Sequence, residues 1–188
     1  DVAGVFTASK GDLKQVVTAI LTHAEAQQPV KLNEPVLFAT RLLRSLNANV
    51  TTAATGVRGQ TEAMGQEVFS APSVFNYFSP FYRVQGNVAP EFQIVNAATV
   101  LARINFVNRV VSNSLSGNVK VDFSNWDDLA TNADRLVEAV NQALYRGGMT
   151  ADEKAALKAG LGDSKSARTL VRNALYVAAA SPQYQVEH

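Results

Sequence analysis

Leu13, Val16, Val17, Ile20 and Leu21 fall at the i, i+3, i+4, i+7, i+8 spacing of one helix face. With Asp12 placed to cap the first turn, GDLKQVVTAILTHAEA is predicted to form an amphipathic helix. After QQPVKL, Asn33 stands as a cap, Pro35 in the first turn and Leu42, Leu43 and Leu46 on the apolar face of a second helix ending near Asn47. TTAATGVRGQTEAMGQ reads as a third helix despite Gly56, Gly59 and Gly65, each costing about 1 kcal/mol against alanine in a helix interior.

Pro90 opens PEFQIVNAATVLARINFVNRVVSNSL, whose length and near all-round hydrophobicity predict one central buried helix stopping near Gly117. NVKVDF alternates Val119, Val121 and Phe123, the period of a strand. A lone strand without a partner forms no sheet, so this stretch is expected to be extended loop. NADRLVEAVNQALYRGG places Leu136, Val137, Val140 and Leu144 on a helical face that stops at Gly147 and Gly148. Thr150 and Glu153 form a capping box for ADEKAALKAGLG, closed by Gly160 or Gly162. A last helix follows Asp163, carries Leu170, Val171, Ala174, Leu175 and Ala178, and stops at Ser181 and Pro182. The predicted fold class is all-α, an irregular bundle of about six helices in a single helical domain over 1–188, interrupted by a long aromatic-rich loop.

Composition narrows the classes of function. The 188 residues are 47% apolar, ordinary for a globular chain, and 17 basic against 16 acidic residues leave a formal charge of +1. Neither nucleic acid nor an anionic membrane surface is favoured by that balance. No apolar run reaches the ~20 residues of a membrane-spanning helix. Cysteine is absent, which removes disulfides, thiolate metal sites and a cysteine nucleophile while leaving the compartment open. The chain begins at Asp1 with neither an initiator Met nor a signal peptide, and so reads as a piece of a longer protein.

Candidate chemistry is sparse. The two histidines, His23 and the terminal His188, make a histidine-based metal site a poor expectation, and no cofactor motif is present. Two carboxylate pairs have a spacing compatible with acid–base work: Asp127 and Asp128 beside Trp126, and Asp134 and Glu138 one helical turn apart. The first pair lies near a helix start, where acids meet the dipole favourably, and the second reads with Arg135 as a solvated face. His23, near the end of the first helix, is better explained by the helix dipole than as a general base.

The stretch SAPSVFNYFSPFYRVQGNVAPEFQ, residues 70–93, holds Phe75, Tyr77, Phe78, Phe81, Tyr82 and Phe92 among Pro72, Pro80, Pro90 and Gly86. Flat rings offer stacking area for sugar or apolar polymer at low entropy cost. The three prolines, and the spacing by three of Phe75, Phe78 and Phe81, favour instead a stiff loop folded back as a buried cap, with Tyr77 and Tyr82 showing only their hydroxyls.

In order along the chain, GDLKQVVTAILTHAEA, KLNEPVLFATRLLRSL, APSVFNYFSPFY, APEFQIVNA and SPQYQV resemble the C-terminal part of the DUF1800 family, bacterial proteins of unassigned function. Residues 118–168 carry little of that resemblance and read as a variable insertion. The resemblance implies a helical, exported protein in the periplasm or outside the cell. It also implies an N-terminal region with its own Asn, Glu, Arg and His signatures, and a neighbouring DUF1501-like partner. It transfers no catalytic residue. Three functions follow as expectations. The leading one is a non-catalytic binding or assembly domain whose loop, through Phe75, Tyr77, Phe78, Phe81, Tyr82, Glu91 and Phe92, meets the N-terminal region of the same protein or an extracellular carbohydrate or polymer. The second is a fragment of a glycan or polymer hydrolase using Glu67 or Glu91, and the third a self-assembling structural protein.

Overall fold

A computed structural model describes residues 1–27, 31–51, 55–115 and 119–187. The chain divides into two units, Asp1–Lys31 with Val186–His188 and Leu32–Gln185. Among the described residues there are ten α-helices and six two-residue strands, an all-α fold. Part of the third predicted helix, the predicted stop at Gly117 and the terminal His188 lie outside the described residues.

In the first unit α1 (Val2–Ala8) turns into α2 (Leu13–Leu21) through Lys10 and Gly11, both at positive φ. Asp12 caps α2 as expected, accepting hydrogen bonds from the backbone N–H of Lys14 (2.9 Å) and Gln15 (3.4 Å). The short helix α1 has no polar–apolar period to announce it. Neither helix buries a residue, and Leu13, Val17, Ile20 and Leu21 are exposed.

A two-residue strand, β1 (Lys31–Leu32), leads to the second unit, which opens on α3 (Pro35–Ser45). Then come β2 (Asn49–Val50) and α4 (Thr55–Ala63), and after them a hairpin of β3 (Arg83–Val84) and β4 (Asn87–Val88). The long helix α5 (Ala97–Val111), β5 (Val119–Lys120) and α6 (Ser124–Asp127) precede α7 (Ala133–Tyr145), α8 (Ala151–Ala159) and α9 (Ala167–Ala180). The final α10 (Pro182–Gln185) is followed by β6 (Val186–Glu187). Within this unit α9 packs against α5, α7 and α8, while α3 packs against α4, α5 and α7.

The core gathers where these helices meet. Phe38, Leu42, Phe106, Val107, Leu136, Val140, Val171 and Leu175 are wholly buried, and so is Tyr184 of α10. The Phe38 ring lies 6.2 Å from Phe106 and 5.8 Å from Tyr184, and Tyr145 lies 5.8 Å from Tyr184. Arg41 sits over the Tyr184 ring at 4.5 Å and donates to the Leu144 carbonyl at 3.0 Å.

Three expectations are corrected. Asn33 is not the cap of α3: Glu34 precedes Pro35 at that place without a side-chain bond. Asn33 is buried instead; its N–H donates to the Gln185 carbonyl (2.8 Å) and its carbonyl accepts from Arg103 (2.8 Å), a tertiary use that replaces the local one. The run from Pro90 is not one helix. A 3₁₀ turn over Pro90–Ile94 gives way to extended Val95, and Asn96 starts α5 through a capping box with Thr99. Nor is α5 buried all round, because Val100 and Leu101 face solvent while Phe106, Val107, Val110 and Val111 are inside. Finally, NVKVDF does find a strand partner: β5 pairs antiparallel with β2, Val119 opposite Val50 and Lys120 opposite Asn49, and Val119, Val121 and Phe123 are buried.

The remaining helix boundaries follow local rules. Asn132 caps α7, and Arg146 in the left-handed region ends it. Thr150 and Glu153 form the predicted box on α8, Gly160 ends that helix, and Ser166 caps α9.

Replacing Tyr184 by Ala should cost about 3–5 kcal/mol, read as a lower urea midpoint with an unchanged slope. Glu138 accepts from Lys154 (2.8 Å), Gln142 (2.7 Å) and Asn141 (3.1 Å), and these bonds, Lys154 foremost, lower its pKa to about 2 from 4.5. A carboxyl whose folded pKa is depressed contributes stability above its unfolded value and loses it as pH falls through the folded one. Glu138→Gln should therefore flatten the stability–pH curve between about 4.5 and 2, as measured by urea unfolding across that window.

Candidate functional site

Between α4 and α5 the chain forms no helix of its own except the 3₁₀ turn, yet its backbone is held at defined points. Gly65, at φ 97°, ends α4; a Cβ there would lie 3.3 Å from the Ile94 Cβ, so the position needs glycine both for its φ and for the close approach. The Tyr77 hydroxyl donates to the Glu67 carbonyl and accepts from the Ser70 N–H (3.3 Å), drawing 67–70 beside 77. The Gln93 side-chain carbonyl accepts from the Ser79 N–H (2.6 Å), and the Tyr82 carbonyl accepts from the Ala89 N–H (2.9 Å), drawing 79–82 beside 89–93. In the hairpin, Arg83 faces Val88 and Val84 faces Asn87 across a two-residue turn, Gln85 and Gly86, both at positive φ.

This frame turns part of its apolar side chains outward. Phe69 is 102% exposed, Val74 94%, Phe81 78% and Phe75 59%, and Val88 and Phe92 are exposed as well. Tyr77, Phe78, Tyr82 and Glu91 are half-buried. The expected self-packed cap is therefore corrected at Phe75, Phe81 and Phe92. The bonds of the Tyr77 hydroxyl and the Gln93 side-chain carbonyl fix the backbone at points that do not involve the exposed rings of Phe75 and Phe81, so stiffness and the burial of those rings, read together in the sequence, come apart in the structure. Sequence reasoning also missed Phe69 and Val74. Phe69 stands just before the segment and holds φ at 67°, a conformation that costs a non-glycine residue about 1–2 kcal/mol and leaves no trace in residue spacing.

The candidate carboxylates have structural partners. Glu67 pairs with Arg58, and Glu91 stands in the first turn of the 3₁₀ segment. Asp127 pairs with Arg168 at 2.6 Å, its Oδ1 buried without a hydrogen-bond partner among the described residues. Asp128 precedes a 3₁₀ turn over Leu129–Thr131 and makes no side-chain cap bond. Asp134, Arg135 and Glu138 are exposed, the solvated face expected, and on it Asp134 meets Lys158 (2.7 Å) and Glu138 meets Lys154 (2.8 Å) from α7 to α8. His23 lies beyond the end of α2, its Nε2 3.3 Å from Asp1 Oδ2 and its Nδ1 3.9 Å from Glu25 Oε2. Among the described residues no group of three or more His, Asp or Glu side chains could hold a metal, and no helix is long and apolar enough to cross a membrane.

The outward rings and the inward tyrosine should respond differently to truncation. Phe75→Ala and Phe81→Ala should each change stability by less than about 0.5 kcal/mol, the range of exposed positions. Tyr77→Phe, which removes only the hydroxyl clamp, should cost about 1 kcal/mol and speed amide exchange at Ser70 modestly, since its N–H keeps the 2.9 Å bond to the Glu67 carbonyl. Urea unfolding and hydrogen exchange of the three variants check this.

No curated protein and no solved structure matches the chain. The family described as "Protein of unknown function (DUF1800)" matches it over residues 1–186. By that match over nearly its whole length, and in keeping with the motifs around 70–93, the chain belongs to the DUF1800 family.

Proposed function

We propose that this chain is a non-catalytic binding or assembly domain of an exported protein, and that its contact surface is the segment from Phe69 to Phe92. The observation that carries the reading is the exposure of Phe69, Phe75 and Phe81 on a backbone fixed by Tyr77 and Gln93. Soluble monomers rarely leave large apolar patches in water, and pre-ordered rings lose little freedom on binding.

The chemistry of the patch favours a polypeptide over a glycan. Its most exposed members are Phe and Val, without a polar atom in the side chain, and the hydroxyl of Tyr77 is engaged within the segment. Sugar rings need hydrogen-bond partners beside the stacking face, whereas the centre of a protein interface is apolar and aromatic. A protein surface, such as the N-terminal region implied for longer members of the family or a DUF1501-like partner, suits such rings better.

Radical footprinting should compare the recombinant chain with the same protein isolated from its natural source, both at 1 µM or about that concentration. Phe69, Phe75 and Phe81 should label several-fold more slowly in the natural material, where the partner is present. Equal labelling of all three rings in both samples, unchanged when the recombinant chain is raised to about 100 µM, would overturn the proposal.

A further inference from the structure

The segment carries two features that together point to a particular kind of occupant. One is the amount of apolar surface. With each aromatic side chain able to bury ~200 Å², the exposed fractions of Phe69, Val74, Phe75, Phe81, Val84, Val88 and Phe92 leave about 800 Å² uncovered. That is about one partner's share of a standard protein interface. The other feature is the hairpin itself: β3 and β4 form a two-stranded sheet, so both outer edges are without a strand partner among the described residues. An isolated two-stranded ribbon is marginal, and its free edges are templates for another strand.

We infer that a second copy of this chain covers the segment, with the two hairpins side by side about a two-fold axis and the phenylalanines of each copy packed on the other. This rests on the reading of the segment as a contact surface and names the occupant. Two observations favour self-pairing. The exposed rings and valines carry no charge, and the one cation of the hairpin, exposed Arg83, has its guanidinium turned back onto the Gly86 carbonyl (2.7 Å), so placing the patch on itself sets at most one pair of like charges near each other, and a net charge of +1 sets up little repulsion between whole chains. In a two-fold interface the same surface must serve both sides. A patch of Phe and Val beside a free strand edge meets that requirement, since apolar rings and backbone edges are both complementary to themselves.

The test is sedimentation equilibrium of the purified chain from about 1 to 100 µM, joined to hydrogen exchange at both ends of that range. The expected result is a reversible dimer, with amides of 81–88 slowed at the higher concentration. Phe81→Glu and Val88→Lys, both at exposed positions, should raise the dissociation constant about 30-fold or more while leaving the circular dichroism and the unfolding midpoint of the monomer in place. The exchange experiment uses the unaltered chain and so stands even if a variant misfolds. A strict monomer at 100 µM, or a dimer that forms as well with both variants and leaves 81–88 unprotected, would overturn self-pairing. If the chain is a monomer yet its rings are protected in material from the natural source, the occupant is a different protein and the contact-surface reading survives. If the rings are equally labelled there too, both fall.

Discussion

The second unit depends on a cation buried beneath its last helical turn. Arg103 is 4% exposed, donates to the Gln185 side-chain carbonyl (3.1 Å) and the Asn33 carbonyl (2.8 Å), and lies over the Phe38 ring at 5.1 Å. Both acceptors are neutral, and burial pushes the guanidinium's pKa down to about 10, still charged at any physiological pH. A buried charge is tolerated only while its hydrogen bonds are kept. Those bonds fix the segment before α3 and the end of α10 at once, and that placement puts Tyr184 between Phe38, Tyr145 and Arg41. Burial raises the Tyr184 phenol to about 12, so the centre of the core keeps one protonation state over the range in which the protein lives.

Much of this was legible in the residues because it is local. The caps Asp12, Thr150 with Glu153, and the apolar faces of α3, α7 and α9 each lie within a few residues of what they act on. The errors share the opposite property. Asn33 looked like a cap because Pro35 follows it, but its partners are Arg103, Tyr184 and Gln185, far along the chain. NVKVDF has the right alternation, but its partner β2 is so short and so distant that no pattern announces it. Pro90 is a valid start signal; the capping box at Asn96 is a stronger one six residues later.

The candidate site shows the same limit in another form. Prolines and ring spacing predicted stiffness, and the segment is held at several points by hydrogen bonds. Which way its rings point depends on whether the frame needs them for cohesion. At Phe75 and Phe81 it does not, because a tyrosine hydroxyl and a glutamine carbonyl supply contacts there, while Phe78 and Tyr82 are half-buried. Part of the aromatic content that drew notice to the segment, Phe75 and Phe81 above all, is thus separate from what holds it together, whereas Tyr77 supplies one of the ties. The scattered acids have gone the other way: Asp134 and Glu138 join α7 to α8 through Lys158 and Lys154, and Asp127 joins α6 to α9 through Arg168.

The joining of Asn33 to Tyr184 and Gln185 also orders events in time. These contacts close across about 150 residues, among the longest separations the chain permits, so their loop entropy is met late and nothing local substitutes for them. On a ribosome, α3 and α5 emerge long before α10 exists to complete their packing. Until residue 185 has cleared the exit tunnel, Phe38 and Arg103 lack Tyr184 and Gln185, and the nascent domain carries an unfilled core with a cation waiting for its acceptors.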